Sequence, residues 1–244
     1  MSYKFSHFSF AIEKYNTIAW YTKFEFLISI IVIFAQILSL LNLLQTYYFT
    51  GIYNVLFALI VSYIVTDFIN GFVHMIIDNN TKFTSIVGPF IAAFHVHHYK
   101  VKYKEKGALK IYFDESGHKF WLVIYLILLI FAQQFFLLSP NTNLGLVAFG
   151  IFSSIAELSH YWCHKQKNNR LIKFLQEHNI LLSLQHHRLH HIKDNINYAF
   201  LNGVSDPLLN VIARLFYSGY KNSSDVYVAA YFNKLKSQSK DTTL

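Results

Sequence analysis

His186-His187-Arg188-Leu189-His190-His191 places four imidazoles in six residues, directly after an apolar segment that ends at Leu184. As a helix, the run sets His186 and His190 on one face and His187 and His191 on a neighbouring one, because residues four apart lie one turn apart. Imidazole suits zinc, copper, iron and nickel, so the run by itself reads as a transition-metal site. The competing reading is a basic surface patch. The fall of the other histidines decides between them.

The surroundings are apolar. Hydrophobic residues make up 54% of the 244 and charged ones 14%, with a mean hydropathy of +0.31. Soluble domains carry about a quarter charged residues, so the composition points to a membrane protein with a few spans and a compact cap. A lone cysteine, Cys163, excludes an internal disulfide and a Cys-ligated iron–sulfur cluster.

Four spans are expected, giving an all-α membrane protein whose cytosolic helical cap holds a histidine-rich metal site. The first covers Glu25 to Leu44 and the second Ile52 to Val73, with Asp67 inside it. The third runs from Phe120 to Leu138, and the fourth from Leu144 to His164 with Glu157 near its end. Residues 1–24 read as a cytosolic or interfacial leader, 25–218 as the membrane-embedded unit and 219–244 as a loose polar tail.

Charge placement orients the bundle. Of the 21 Lys and Arg, three lie in the leader, seven between His74 and Phe120 and eleven after His164; the turns at 46–51 and 139–143 have none. By the positive-inside rule both termini and the 75–119 loop are cytosolic. This accounts for the net charge of +8 through anionic headgroups, without nucleic acid as a partner. A Lys-, Asn- and Ile-rich composition favours a bacterial inner membrane, with the endoplasmic reticulum as the eukaryotic counterpart.

Two shorter pieces complete the chain. Phe83 to Phe94 is apolar but too short to cross, and Leu171 to Leu184 has the spacing of an amphipathic helix at the membrane surface. Asp206-Pro207 opens a further helix.

Four histidine clusters then share one side of the membrane. His74 and Asp78 end the second span, His97 and His98 follow the short apolar segment, His160 and His164 end the fourth span, and the 186–191 run completes the set. Four-residue spacing lets one helix face offer two ligands to one metal. Nine imidazoles and one carboxylate exceed what one zinc ion takes, but suit two metals with open positions. Nitrogen ligation without thiolate fits non-haem iron and oxygen chemistry, with zinc as the rival. Asp67 and Glu157, ionisable groups inside spans, are expected to orient imidazole N–H groups from outside the ligand set. His7, His95, His118 and His178 are read as non-ligands.

These residues resemble a known family. Asp67-Phe-Ile-Asn-Gly71-Phe-Val-His74-Met-Ile-Ile-Asp78 is similar to the D-F-x-x-G-x-x-H-x-x-x-D signature of the Kua, or plasmanylethanolamine desaturase, family of lipid desaturases, which also includes the chloroplast palmitate desaturase. Phe94 to His98 resembles its F-x-x-H-H, His160 to His164 its H-x-W-x-H, and His186 to His191 its H-H-R-I-H-H. The likeness covers residues 52 to 216. Tyr198, Gly203 and Asp206 to Leu209 continue it. It departs at Glu157, where the family has Asn, at Ser183, where it has Pro, and at Glu115 to Lys119, where a T-N-G-D-N-like stretch is usual.

The resemblance implies that His74, Asp78, His97, His98, His160, His164, His186, His187, His190 and His191 hold two iron ions. It implies an O2-dependent oxidoreductase that removes two hydrogens from a chain of a membrane phospholipid. Vinyl ether formation, as in plasmalogens, comes first and acyl-chain desaturation second. Electrons would come from a small cytochrome or ferredoxin with its reductase. The rivals are a membrane lipid hydroxylase, a non-enzymatic metal transporter or sensor, and a membrane adaptor. A transporter should carry ionisable residues near mid-bilayer, whereas here they gather at one end.

Overall fold

The computed structural model describes residues 3–99, 107–114, 119–165 and 167–241, and every regular element among them is a helix. Three are long and apolar enough to cross a membrane: α2 (Trp20–Thr46), α3 (Ile52–Asp78) and α7 (Pro140–His164). The expected third span is shorter. The helix there, α6 (Phe120–Phe135), has 16 residues and gives way to extended chain at Phe136. At about 1.5 Å per residue it falls short of a hydrocarbon core of about 30 Å.

The bundle is apolar outside, and its interior combines polar and small residues with an aliphatic core of Ile28, Val32, Leu122, Leu126 and Val147. α2 turns Phe26, Ile30, Phe34, Ile37 and Leu41 outward and buries Glu25, Ser29, Ala35 and Ser39. That is the pattern of helices facing lipid. α3 packs on α7, and α2 on both α6 and α7. Along the α3–α7 seam, Ser62 Oγ donates to the Gly145 carbonyl at 2.7 Å, and Asn70 Nδ2 donates to Ser153 Oγ at 3.1 Å. Gly145 matters because a Cβ there would sit 3.2 Å from Ser62 Oγ.

The lysine-free turns meet at one end of the bundle. Thr50 Oγ1 donates to Asn141 Oδ1 at 2.5 Å, and Asn143 Nδ2 to Thr46 Oγ1 at 3.4 Å. Ser139 caps α7 by accepting from the Thr142 N–H, and Pro140 occupies its first turn, where no N–H is needed.

The opposite end carries the cap. It comprises α1 (Tyr3–Thr17), α4 (Gly88–His95) continued by a 3-10 turn (Val96–His98), α5 (Ala108–Asp114), α8 (Arg170–Glu177), α9 (Leu184–Ile192), α10 (Asp206–Phe216) and α11 (Ser224–Asp241). Two expectations change here. The polar tail is not loose. In α11, Val228 and Tyr231 are buried against Phe8, Ile12, Phe83 and Ile91, so the first and last helices share one core with α4. The residues that make the segment look like a tail, Lys234 and Lys236 among them, lie beyond Tyr231, where the helix is exposed. The amphipathic segment also stops early. α8 ends at Glu177, and the chain turns through Asn179 at φ +55° before α9 begins.

Candidate metal centre

The site begins on one face of α3, where Asp67, Gly71, His74 and Asp78 recur at helical spacing. Asp67 Oδ1 accepts the backbone N–H groups of Leu201, Asn202 and Gly203, and its Oδ2 accepts both the N–H and the hydroxyl of Ser205. Gly71 lets the pinned segment lie flat on the helix, since a Cβ there would sit 2.5 Å from Leu209 Cδ1 and 3.0 Å from Ala199 Cα. The Tyr198 carbonyl thereby reaches His74, whose Nδ1–H donates to it at 2.8 Å.

That tether recurs around the site. His97 Nδ1 donates to the Phe94 carbonyl at 2.6 Å, and His190 Nδ1 to the Ile196 carbonyl at 2.9 Å. His98 Nδ1 donates to Asp225 Oδ1 at 2.9 Å, and His160 Nδ1 lies 3.4 Å from Glu157 Oε1. A carbonyl or carboxylate can only accept, so Nδ1 carries the proton and each Nε2 keeps its lone pair. Such outer partners fix the ring and tautomer of metal-binding histidines. The turn supplying Ile196 depends on Asn195 and Asn197, both at positive φ, where asparagine is among the few tolerated side chains.

The freed nitrogens converge in two abutting groups. His74, Asp78, His97, His98 and His190 form one; His97, His160, His187 and His191 form the other. In the first, Asp78 Oδ2 lies 3.0 Å from His74 Nε2 and 3.1 Å from His190 Nε2, and Oδ1 lies 3.3 Å from His98 Nε2. None of these contacts has hydrogen-bond geometry. Both Asp78 oxygens and the Nε2 atoms of His74, His97, His98 and His190 are buried without a hydrogen-bond partner. Orphaned buried acceptors aimed at one point are costly unless a cation satisfies them. In the second group, Nε2 atoms stand 3.0 Å apart for His160–His187 and His187–His191. His164 joins them, its Nε2 3.0 Å from that of His160 and 3.1 Å from that of His187. The donor set therefore fits transition-metal ions.

Electrostatics outside the spans agree. Burial, then the neighbouring imidazoles, pushes His97, His187 and His191 well below the usual imidazole range. Burial also lowers His190, to about 3, against the pull of Asp78. These rings are neutral and ready to ligate. His98 goes the other way: burial would lower it, but Asp78 and Asp225 bring it up to about 9.

Aromatic rings close the pocket. Phe200 stacks on His160 with centroids 4.2 Å apart, and Phe94 packs edge-on against His74 and His97. Behind Phe200 lies a small cavity lined by Asn70, Lys119, Trp121, Leu122, Ser153 and Glu157.

Residues 63–218 match the lipid desaturase domain. The chain belongs to this family. Over 157 residues, 62% of its length, the chain is 28% identical to the plasmanylethanolamine desaturase of Myxococcus xanthus. The aligned stretch covers 53% of that relative, so the chain spans about half its length. No solved structure matches.

Of the ten residues expected at the metals, nine converge. His186 stands apart: its Nε2 meets Asp206 Oδ2 at 2.6 Å over the turn at Gly203, whose φ of +85° and crowding against His186 suit glycine. Asp67 holds backbone rather than an imidazole and so acts on His74 one step removed, whereas Glu157 lies beside His160. Ser183, where the resemblance has Pro, caps α9 by accepting the His186 N–H. His95 donates from Nε2 to the Asn80 carbonyl, and His178 donates from Nδ1 to the Phe174 carbonyl, one turn back at the end of α8. His118 falls outside the described residues. Sequence reasoning misses Asp225, which lies in the segment expected to be a tail. The Lys221/Asp225 pair and the apolar Val228 and Tyr231 are the signals for a helix there.

Proposed function

We propose that this lipid desaturase is a membrane di-iron enzyme that uses dioxygen to introduce a double bond into a phospholipid chain, first of all the vinyl ether bond of a plasmalogen. The observation that carries the reading is the pair of abutting donor groups of buried Nε2 atoms, with the tautomers of His74, His97 and His190 locked by backbone carbonyls at Nδ1. His74, Asp78, His98 and His190 would hold one ion and His160, His164, His187 and His191 the other, with His97 at their junction. An imidazole has one free lone pair, so His97 serves one ion at a time.

A nitrogen-rich donor set with one carboxylate and no thiolate suits non-haem iron and oxygen chemistry, with zinc as the rival. Two such ions supply oxygen activation, which no side chain performs. The chain's own residues do the rest. The Nδ1 partners fix the rings of His74, His97, His98 and His190, Phe200 and Phe94 exclude water beside the donors, and the apolar flanks of α2 and α3 admit a lipid chain from the bilayer. The cavity behind Phe200 has room for about one water, so a lipid chain needs side chains there to move aside.

The partners follow from the chemistry. Each turnover needs two electrons beyond those from the lipid, supplied by a small cytochrome or ferredoxin with its reductase. The histidine end and both termini face the cytosol by the positive-inside rule, in a bacterial inner membrane or, in a eukaryote, the endoplasmic reticulum. Lys110 would lie near the headgroup, with Lys100, Lys102, Lys104 and Lys106 outside the described residues.

The test is lipid mass spectrometry of cells expressing the chain and fed alkyl ether lipids, beside a His187→Ala control. Acid-labile vinyl ethers in the wild type alone support the reading. Loss of two hydrogens from acyl chains instead keeps the chemistry and moves the substrate. Oxygen inserted into the chain would assign a hydroxylase.

A further inference from the structure

Residues 220–225, the end of the α10–α11 connection and the first turn of α11, lie beyond the matched domain at 63–218, yet they grip three of the histidines. Asp225 Oδ1 accepts from His98 Nδ1 at 2.9 Å, and Asp225 Oδ2 accepts from Lys221 Nζ at 2.7 Å. The same Lys221 Nζ donates to the His191 carbonyl at 2.5 Å, and Tyr220 Oη donates to the His190 carbonyl at 2.5 Å. The turn itself is anchored, because Asp194 Oδ1 accepts the N–H groups of Tyr220 and Lys221, each at 2.9 Å.

We infer that Asp225 is a positioning residue for His98 and that, with Lys221, it makes α11 an integral part of the metal centre. His98 is tethered by a carboxylate from outside the matched domain, whereas His74, His97 and His190 use carbonyls within it. A carboxylate on Nδ1 raises the basicity of Nε2 and strengthens its bond to a metal. Because Lys221 also holds the His191 carbonyl, the clamp fixes the spacing between a histidine of the Asp78 group and one of the imidazole group. The inference rests on the proposed metal-centre reading.

The experiment uses the full chain in detergent micelles, with iron bound per chain measured by elemental analysis and cobalt(II) absorption as a spectroscopic probe. Asp225→Ala is expected to weaken metal binding about 10- to 100-fold and to change the cobalt spectrum. Asp225→Asn, which still accepts from Nδ1 without the charge, should recover part of both. Val228→Ala, a core change on α11 that does not touch His98, should lower the melting temperature while leaving the spectrum and affinity unchanged. Wild-type affinity and spectrum in Asp225→Ala overturn the inference. So does equal metal loss in Val228→Ala and Asp225→Ala at matched stability, which would mean that only the fold of α11 matters. A wild-type chain that takes up neither iron nor cobalt would bring down the metal-centre reading itself, and this inference with it.

Discussion

The two donor groups differ in charge although they share His97. The first is built around Asp78, a buried carboxylate within about 3 Å of three imidazole nitrogens; the second contains imidazoles alone. Asp78 puts a carboxylate among the donors of the first group, while the carboxylate nearest the second, Glu157, stands behind His160, so under the proposed reading equal ions would differ in effective charge and in ease of reduction. Their supports differ too. The Asp78 group is tied to backbone carbonyls of α4 and of the loop between α9 and α10, and to Asp225, whereas in the imidazole group His160 lies near Glu157 on its own helix. The asymmetry gives one fold two unlike donor groups.

Asp78→Ala offers the sharpest break. It should reduce desaturation below detection and halve bound iron, measured by product analysis and elemental analysis on the same sample, with the imidazole group still loaded. Loss of both ions together would show that the groups form one cooperative unit. Next in size is Gly71→Leu. Its side chain enters the space of Leu209 and the Ala199 backbone, so thermal unfolding should show a loss of about 1–3 kcal/mol or more from overpacking. Metal loss should be greater in the Asp78 group, because the Tyr198 carbonyl is displaced from His74. Glu157→Ala should weaken only the imidazole group, by about 10-fold in metal affinity, and a competition titration with a chelator reads it directly. His186→Ala should have the smallest effect on metal: two ions remain bound, while stability falls by about 1–3 kcal/mol as Asp206 loses a buried partner. A fall to one ion in that variant would return His186 to the ligand set.

Helical periodicity explains how much of this is legible in the sequence. His74/Asp78 and His160/His164 lie four apart on long apolar helices, so their shared faces follow from spacing. His97 and His98 are adjacent and would diverge on a regular helix; a 3-10 turn turns both inward, and no spacing rule gives that. His186 sits in the same run as three donors, and only the turn at Gly203 and Asp206 draws it away. The tethering carbonyls of Phe94, Ile196 and Tyr198 carry no side-chain signature. Residues 219–241 mislead because the buried stripe of α11 is short, Val228 and Tyr231, and is followed by an exposed polar stretch with Lys234 and Lys236.

Asp67 also bears on how the chain is made. Its partners lie 134 to 138 residues further on. At about 5–20 residues per second, α3 would be in the membrane for roughly ten seconds before they are synthesised. A carboxylate near a helix centre costs about 2.5–3.5 kcal/mol on insertion, a penalty that the apolar remainder of α3 can absorb. Until residues 198–205 are made, the amides that satisfy Asp67 and the carbonyl that tethers His74 are both absent. The histidine-bearing end is therefore completed by residues made after α7, the last membrane helix.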